Sequence, residues 1–240
     1  MIHRKVVTVL LSALVWFAVV PSPVSAEWFA DLFVGPAFTL RNDVRETPAG
    51  LNIRLKDVGF DNSTSFGGRL GYWFESTPYL GFGFDVSHFR PDIGKQTVTD
   101  CIVQFPPCFS LPLAHVDLAV TGISFDAHLR LPLLTSKEFP QGQLQPYATI
   151  GPTIFLSRIN INDAFNFSPP KHTDGDASVG VKAGAGVAWQ FHQYVALFAE
   201  YRFTHFRPEF VIRDDFVGRT PIKTNIDTHA AIFGVSFRFW

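Results

Sequence analysis

Three groups of residues in this chain could do chemistry. Cys101 and Cys108 are its two cysteines, separated by Ile-Val-Gln-Phe-Pro-Pro. In an oxidising compartment such a pair closes a short disulfide loop, whereas a zinc site normally takes four ligands. The second group is a repeated tetrapeptide, His88-Phe89-Arg90-Pro91 and His205-Phe206-Arg207-Pro208. A His base needs a hydroxyl or thiol beside it to begin acyl transfer, and Arg stands two residues along in both copies. Guanidinium groups bind phosphate through paired hydrogen bonds, so Arg90 and Arg207 are candidate phosphate contacts, with a solvated rim charge as the plainer alternative. The third group is ionic: Asp31, Arg69, Asp85, Asp126, Arg130, Lys182, Glu200, Arg202 and Arg238, all within otherwise apolar segments. These four acids and five bases can pair with one another, as buried charges must. His128 falls among them as a core residue. No pattern points to a catalytic residue, a metal or a cofactor.

The elements that must position these residues follow from composition and periodicity. Of the 240 residues, 47% are hydrophobic and 15% aromatic, including 26 Phe, and only 17% are charged. A soluble domain carries about 25% charge, so part of this surface meets something other than water. The net charge of −1 excludes a basic nucleic-acid binder. His3, Arg4 and Lys5 precede an apolar run from Val6 to Val20, and Val24-Ser25-Ala26 supplies small residues for cleavage. Residues 1–26 therefore read as a secretory signal peptide, and residues 27–240 as one exported domain. Without 1–26 the chain keeps 18 of its 20 basic residues against 21 acidic, a net of −3.

Beyond the signal peptide, hydrophobicity alternates with period two, the mark of strands with one apolar face. From Trp28 to Arg41 the even positions are apolar, and the odd ones include Asp31, Gly35, Thr39 and Arg41. Further segments of this kind lie near 64–74, 79–90, 117–131, 144–157, 177–190, 194–205 and 226–240, making eight with the first. Long connections are expected at 42–63, 91–116, 158–176 and 206–225. Tight ones are expected at Glu75–Pro78 and His192-Gln193, with Pro132–Gln143 longer than this rhythm. Long loops on one rim and short turns on the other are characteristic of bacterial outer-membrane barrels.

The aromatic residues add an independent sign. Trp28, Trp73, Trp189 and Trp240 fall at one height, with Tyr72, Tyr79, Tyr147 and Tyr194, as in a belt at a lipid interface. Trp73, Tyr79 and Tyr194 are out of phase and are expected to point inward. Segments also echo: Val34-Gly35-Pro36 in Ile150-Gly151-Pro152, Ser65 to Gly71 in Ser178 to Gly184, His88 to Asp92 in His205 to Glu209, and Gly122 to Phe125 in Gly234 to Phe237. Four strands duplicated into eight would produce this.

The faces of the strands decide the solvent. A soluble lipocalin-like carrier would turn the apolar face inward, leaving a Gly-, Ser- and Thr-rich face with few charges to meet water. Of six Lys beyond the signal peptide, Lys182 alone lies in an expected strand, poor cover for a wet exterior. With the apolar face outward in lipid, closure satisfies the backbone without water, and eight strands enclose just enough room for side chains. The expected fold is all-β: a closed eight-stranded antiparallel up-and-down transmembrane β-barrel.

The signal peptide, the eight alternating segments, the strand Phe198-Ala199-Glu200-Tyr201-Arg202-Phe203 and the ending Phe233 to Trp240 resemble the OmpA-type outer-membrane β-barrel family of the Gram-negative cell envelope. That resemblance implies a cell outer membrane location. It also implies a barrel-assembly machinery partner that reads the last strand through Phe233, Val235, Phe237 and Phe239, with either Phe239 or Trp240 as the terminal signal. Outer-membrane lipids, including lipopolysaccharide, are then the phosphate bearers facing Arg90 and Arg207. His205 is also similar in place to the His of lipid A deacylases, but the Ser of those enzymes is Arg207 here. The reading is a non-enzymatic outer-membrane β-barrel with a structural or surface-recognition and adhesion role through long extracellular loops and an unknown loop ligand. Alternatives are a narrow pore for small or apolar solutes and, further off, a lipid A-modifying enzyme.

Overall fold

The computed structural model describes residues 27–47, 52–102, 108–113, 115–161, 172–214 and 218–239. The expected signal peptide and Trp240 lie outside those residues. Eight strands close a barrel: β1 (Glu27–Thr39), β4 (Ser63–Trp73), β5 (Leu80–Phe89), β8 (Val116–Arg130), β9 (Leu144–Ile161), β10 (His172–His192), β11 (Val195–Phe206) and β14 (Ile226–Phe239). All neighbouring pairs are antiparallel, and β14 seals the wall by pairing with β1 from Trp28 opposite Phe239 to Thr39 opposite Thr228. These are the eight segments that alternation marks. β9 runs further than expected because Ile159 and Ile161 join an apolar cluster with Val116 of β8, and β10 follows it, pairing as far as His172 opposite Ile161.

Alternation sets the wall's orientation. Leu32 is 64% exposed and Ile150 60%, whereas Asp85 is 1% and Glu200 3% exposed. The apolar side chains face outward and the charges face the axis. A one-residue slip in any strand would reverse both faces, so the pattern fixes register.

The echoed segments sit on opposite walls. In the ring order, β1 faces β9, β4 faces β10, β5 faces β11 and β8 faces β14. The Gly-Pro echo even interrupts pairing alike: β1–β14 pairing skips Gly35 and Pro36, and β8–β9 pairing skips Gly151 and Pro152. Proline cannot donate to the ladder, and a Cβ on Gly35 or Gly151 would sit 1.8 or 2.0 Å from a neighbouring carbonyl oxygen.

Short turns close one end. The connection 131–143 is longer because it forms part of the floor: Phe139 is buried there, its N–H donating to Ser136 Oγ at 3.1 Å. Gly142, at φ 87°, turns its carbonyl to accept from Gln145 Nε2 at 2.7 Å.

At the other end, three of the regions expected to be loops contain strands. β2 (Asn42–Glu46), β3 (Ile53–Val58), β6 (Gln96–Ile102), β7 (Phe109–Leu113), β12 (Glu209–Asp214) and β13 (Gly218–Thr224) form one six-stranded sheet in the order β12-β13-β2-β3-β6-β7. Five or six residues are too few to show a clear period, which is why alternation missed them. The inner face of this sheet supplies Val44, Leu55, Val58, Val98, Phe210 and Ile222 to an apolar cluster with Phe89, Val120, Phe155 and Phe206 from the barrel strands.

Glu46 is a misfit on that inner face. Burial, reinforced by the nearby Asp100 carboxylate, raises its carboxyl above the ordinary range. The folded sheet therefore holds the Glu46 proton more tightly than the unfolded chain, and stability falls as pH rises through the ordinary and then the raised value. Glu46→Gln should slow amide hydrogen exchange in β2 and β3 at neutral pH, and match the wild type at pH below the ordinary carboxylate range.

Candidate functional site

The interior is stratified by height. At the floor, Glu27 bridges two bases, Arg130 at 2.5 Å and Arg238 at 2.9 Å. Arg130 lies 4.2 Å from the Trp73 ring centroid and Arg238 5.5 Å from that of Phe29. Gln145 donates to Gln190 at 3.2 Å and completes the layer. Midway up, Asp31, Arg69 and Asp85 stand directly opposite one another on β1, β4 and β5.

Arg69 crosses the lumen to Glu200 at 2.7 Å, and Arg202 joins Glu200 at 2.8 Å and Asp85 at 3.1 Å. Lys182 Nζ lies in ion-pair range of Asp85, at 3.0 Å, and of Asp126, at 2.7 Å. Asp85 thus touches three cations. Tyr147 donates its hydroxyl to Glu200 at 3.0 Å. Above this lie Ser87, Thr153, Ser157, Thr204 and the hydroxyl pair Thr39–Thr228 at 2.8 Å. The apolar cluster follows, with Phe155 and Phe206 stacked at 4.0 Å.

All nine ionic residues expected inside are buried there, but as two assemblies. Arg130 and Arg238 belong to the floor, gathered by Glu27, which the sequence reading missed. The signal was present: Glu27 continues the odd-numbered inward row of Asp31 and precedes the Trp28 at which that reading began the strand. Adding it gives five acids (Glu27, Asp31, Asp85, Asp126, Glu200) against five bases (Arg69, Arg130, Lys182, Arg202, Arg238), and the charge closes to zero. A cavity of about 20 Å³ remains near the floor, lined by Asp31, His128 and Tyr147 among others; that is space for roughly one water molecule. His128 is packed against the rings of Phe29 and Trp73, with centroids at 5.4 and 5.8 Å.

The aromatic assignments divide. Trp28 and Trp189 face outward and Trp73 faces inward as expected, but Tyr79 and Tyr194, expected inside, are each 47% exposed. Both lie in tight turns, where strand parity no longer holds. Tyr147 leaves the belt for Glu200.

At the outer end Cys101 and Cys108 are joined as a disulfide across the β6–β7 hairpin. Arg90 and Arg207 are both exposed but follow β5 and β11, on opposite walls, so they do not form one site. Outside the wall, His205 Nδ1 lies 2.5 Å from Asp227 Oδ1, and Asn42 Nδ2 donates to Asp227 Oδ2 at 3.1 Å. Two residues beyond this His in sequence stands Arg207, just past the end of β11. Among the described residues, no group of three or more His, Cys, Asp or Glu could hold a metal ion.

The family model described as the outer membrane protein beta-barrel domain matches residues 36–239. No curated protein matches the chain. Among solved structures it is similar to the outer membrane protein OprG from Pseudomonas aeruginosa, at 14% identity over 88% of this chain and 95% of that one, with a TM-score of 0.53. It is also similar to the outer membrane protein AlkL solved in lipid bilayers, at 14% identity over 92% of this chain and 93% of that one, with a TM-score of 0.50. Neisserial surface protein A matches at 14% identity over 89% and 97%, with a TM-score of 0.47.

Asp85→Asn should expose the importance of charge balance. Removing one partner of a buried ion pair costs about 3–5 kcal/mol, so urea unfolding from lipid vesicles should show a loss of that order. A loss below about 1 kcal/mol, the usual worth of a surface pair, would contradict the network's role.

Proposed function

The chain belongs to the outer membrane protein beta-barrel domain family, and from that premise we propose that it is a non-conducting, non-enzymatic barrel whose work is done by its extracellular sheet. One observation carries the reading: paired, mutually neutralising charges from opposite walls cross the middle and the floor of the lumen, and the cavity beside them is about 20 Å³. The three extracellular hairpins are bonded into one sheet, a rigid surface suited to supporting the membrane or to recognition and adhesion. The lack of a hydroxyl two residues beyond His205 supports the non-enzymatic part.

The proposal extends to partners. Phe233, Phe237 and Phe239 face outward on β14, the strand that closes the barrel. With Val235 they form the segment we assign to the barrel-assembly machinery. Arg90 and Arg207, at the outer ends of opposite walls, each reach one lipopolysaccharide phosphate.

Planar-bilayer recording tests the closed barrel. Purified protein should give no discrete conductance steps above the protein-free bilayer. Reproducible steps would overturn the reading in favour of a narrow pore for small solutes.

A further inference from the structure

On the outward face of the extracellular sheet, bases stand side by side on neighbouring strands. The register places Lys223 of β13 opposite Arg45 of β2, and Arg45 opposite Arg54 of β3. Residues directly opposite share a face, and all three are exposed while the residues between them, Val44, Leu55 and Ile222, are buried in the apolar cluster. Lys56, two residues beyond Arg54, is exposed on the same face. Two acids attend the row: Glu209 lies 2.9 Å from Lys223, and Asp43, beside the Arg54–Lys56 stretch, accepts from Arg54 Nε at 2.8 Å and also attracts Lys56. Among the described residues, neither Arg45 nor Lys56 has a carboxylate within ion-pair distance. Like charges directly opposite in a sheet destabilise it. A row of this kind is favourable when an outside anion lies across it.

The fold says where that anion comes from. β2, β3 and β13 rise from the barrel wall, and their inner face covers the apolar cluster. Their other face therefore points away from that cluster, toward whatever surrounds the barrel. Leu40, 49% exposed, is the last outward apolar residue after β1. Arg45 is five residues further, up to about 16 Å along an extended chain. At that height the neighbours are sugars of the surrounding outer leaflet.

We infer that the row Lys223–Arg45–Arg54, with Lys56, binds the phosphorylated core oligosaccharide of adjacent lipopolysaccharide. The phosphates take the guanidinium groups in paired hydrogen bonds, and neighbouring lipids are tied to the sheet. This rests on the sheet being the working part of the protein. The two ideas fail separately: conductance reports on the lumen, oligosaccharide binding on the sheet.

The test uses the full barrel in phosphatidylcholine vesicles, titrated calorimetrically with deacylated, phosphorylated core oligosaccharide. Arg45→Gln combined with Lys56→Gln should weaken binding by at least about tenfold, as should phosphatase treatment of the oligosaccharide. Lys223→Gln should weaken it in the same direction, which gives a second reading should the double variant fold poorly. Lys137→Gln, in the connection at the other end of the barrel, should leave binding unchanged. Wild-type affinity in the double variant, or undiminished binding of the dephosphorylated sugar, would overturn the inference. So would tighter, row-dependent binding of a sulfated glycosaminoglycan, which would move the occupant to a host surface.

Discussion

Inside hydrocarbon nothing but the protein itself can satisfy a charge or a backbone amide. This constraint shapes the rest of the molecule. Backbone groups are satisfied by closing the wall, with β14 returning to β1. Charges are satisfied by matching five bases to five acids inside that wall. Burying one such ion alone would cost several kcal/mol, so the network works as a set: Asp85 shared among Arg69, Lys182 and Arg202, Glu200 between Arg69 and Arg202, Glu27 holding the floor. Aromatic rings of Phe33 and Trp73 over Arg202 and Arg130 complete the enclosure.

The same strands obey the opposite rule further out. On β8 the inward residues are Val116, Leu118 and Val120 near the extracellular end, then Ser124, Asp126, His128 and Arg130 toward the floor. The outward residues change the other way, from Asp117 to Phe125 and Leu129. Where lipid bathes the wall, polarity is inside; where water bathes it, polarity is outside and an apolar core forms within. The extracellular sheet exists because that upper core needs a cover. Its outward face carries the exposed bases Arg45, Arg54, Lys56 and Lys223.

Much of this was legible from residue order. Eight barrel strands, their facing and the inward ionic residues all follow from period two, because lipid and lumen impose opposite demands on alternate side chains. What escaped did so for definable reasons. Glu27 lies at the very start of a strand, where a single residue shows no period. Tyr79 and Tyr194 sit in turns, where parity lapses. β2, β3, β6, β7, β12 and β13 are short, and their apolar residues pack into a core that local pattern cannot distinguish from loop. The row of bases was out of reach altogether, since Lys223 and Arg45 are brought together by register alone. Arg90 and Arg207, paired by sequence, turned out to be opposed in space.

The most direct measurement is a fluorescent-label scan along β8 in vesicles whose acyl chains carry bromine quenchers. Single-cysteine labels, placed in a background lacking Cys101 and Cys108, should be quenched at 123, 125 and 129, and spared at 117. Protection at 123, 125 and 129 in the folded barrel would mean the apolar face does not meet lipid, and the account would be wrong.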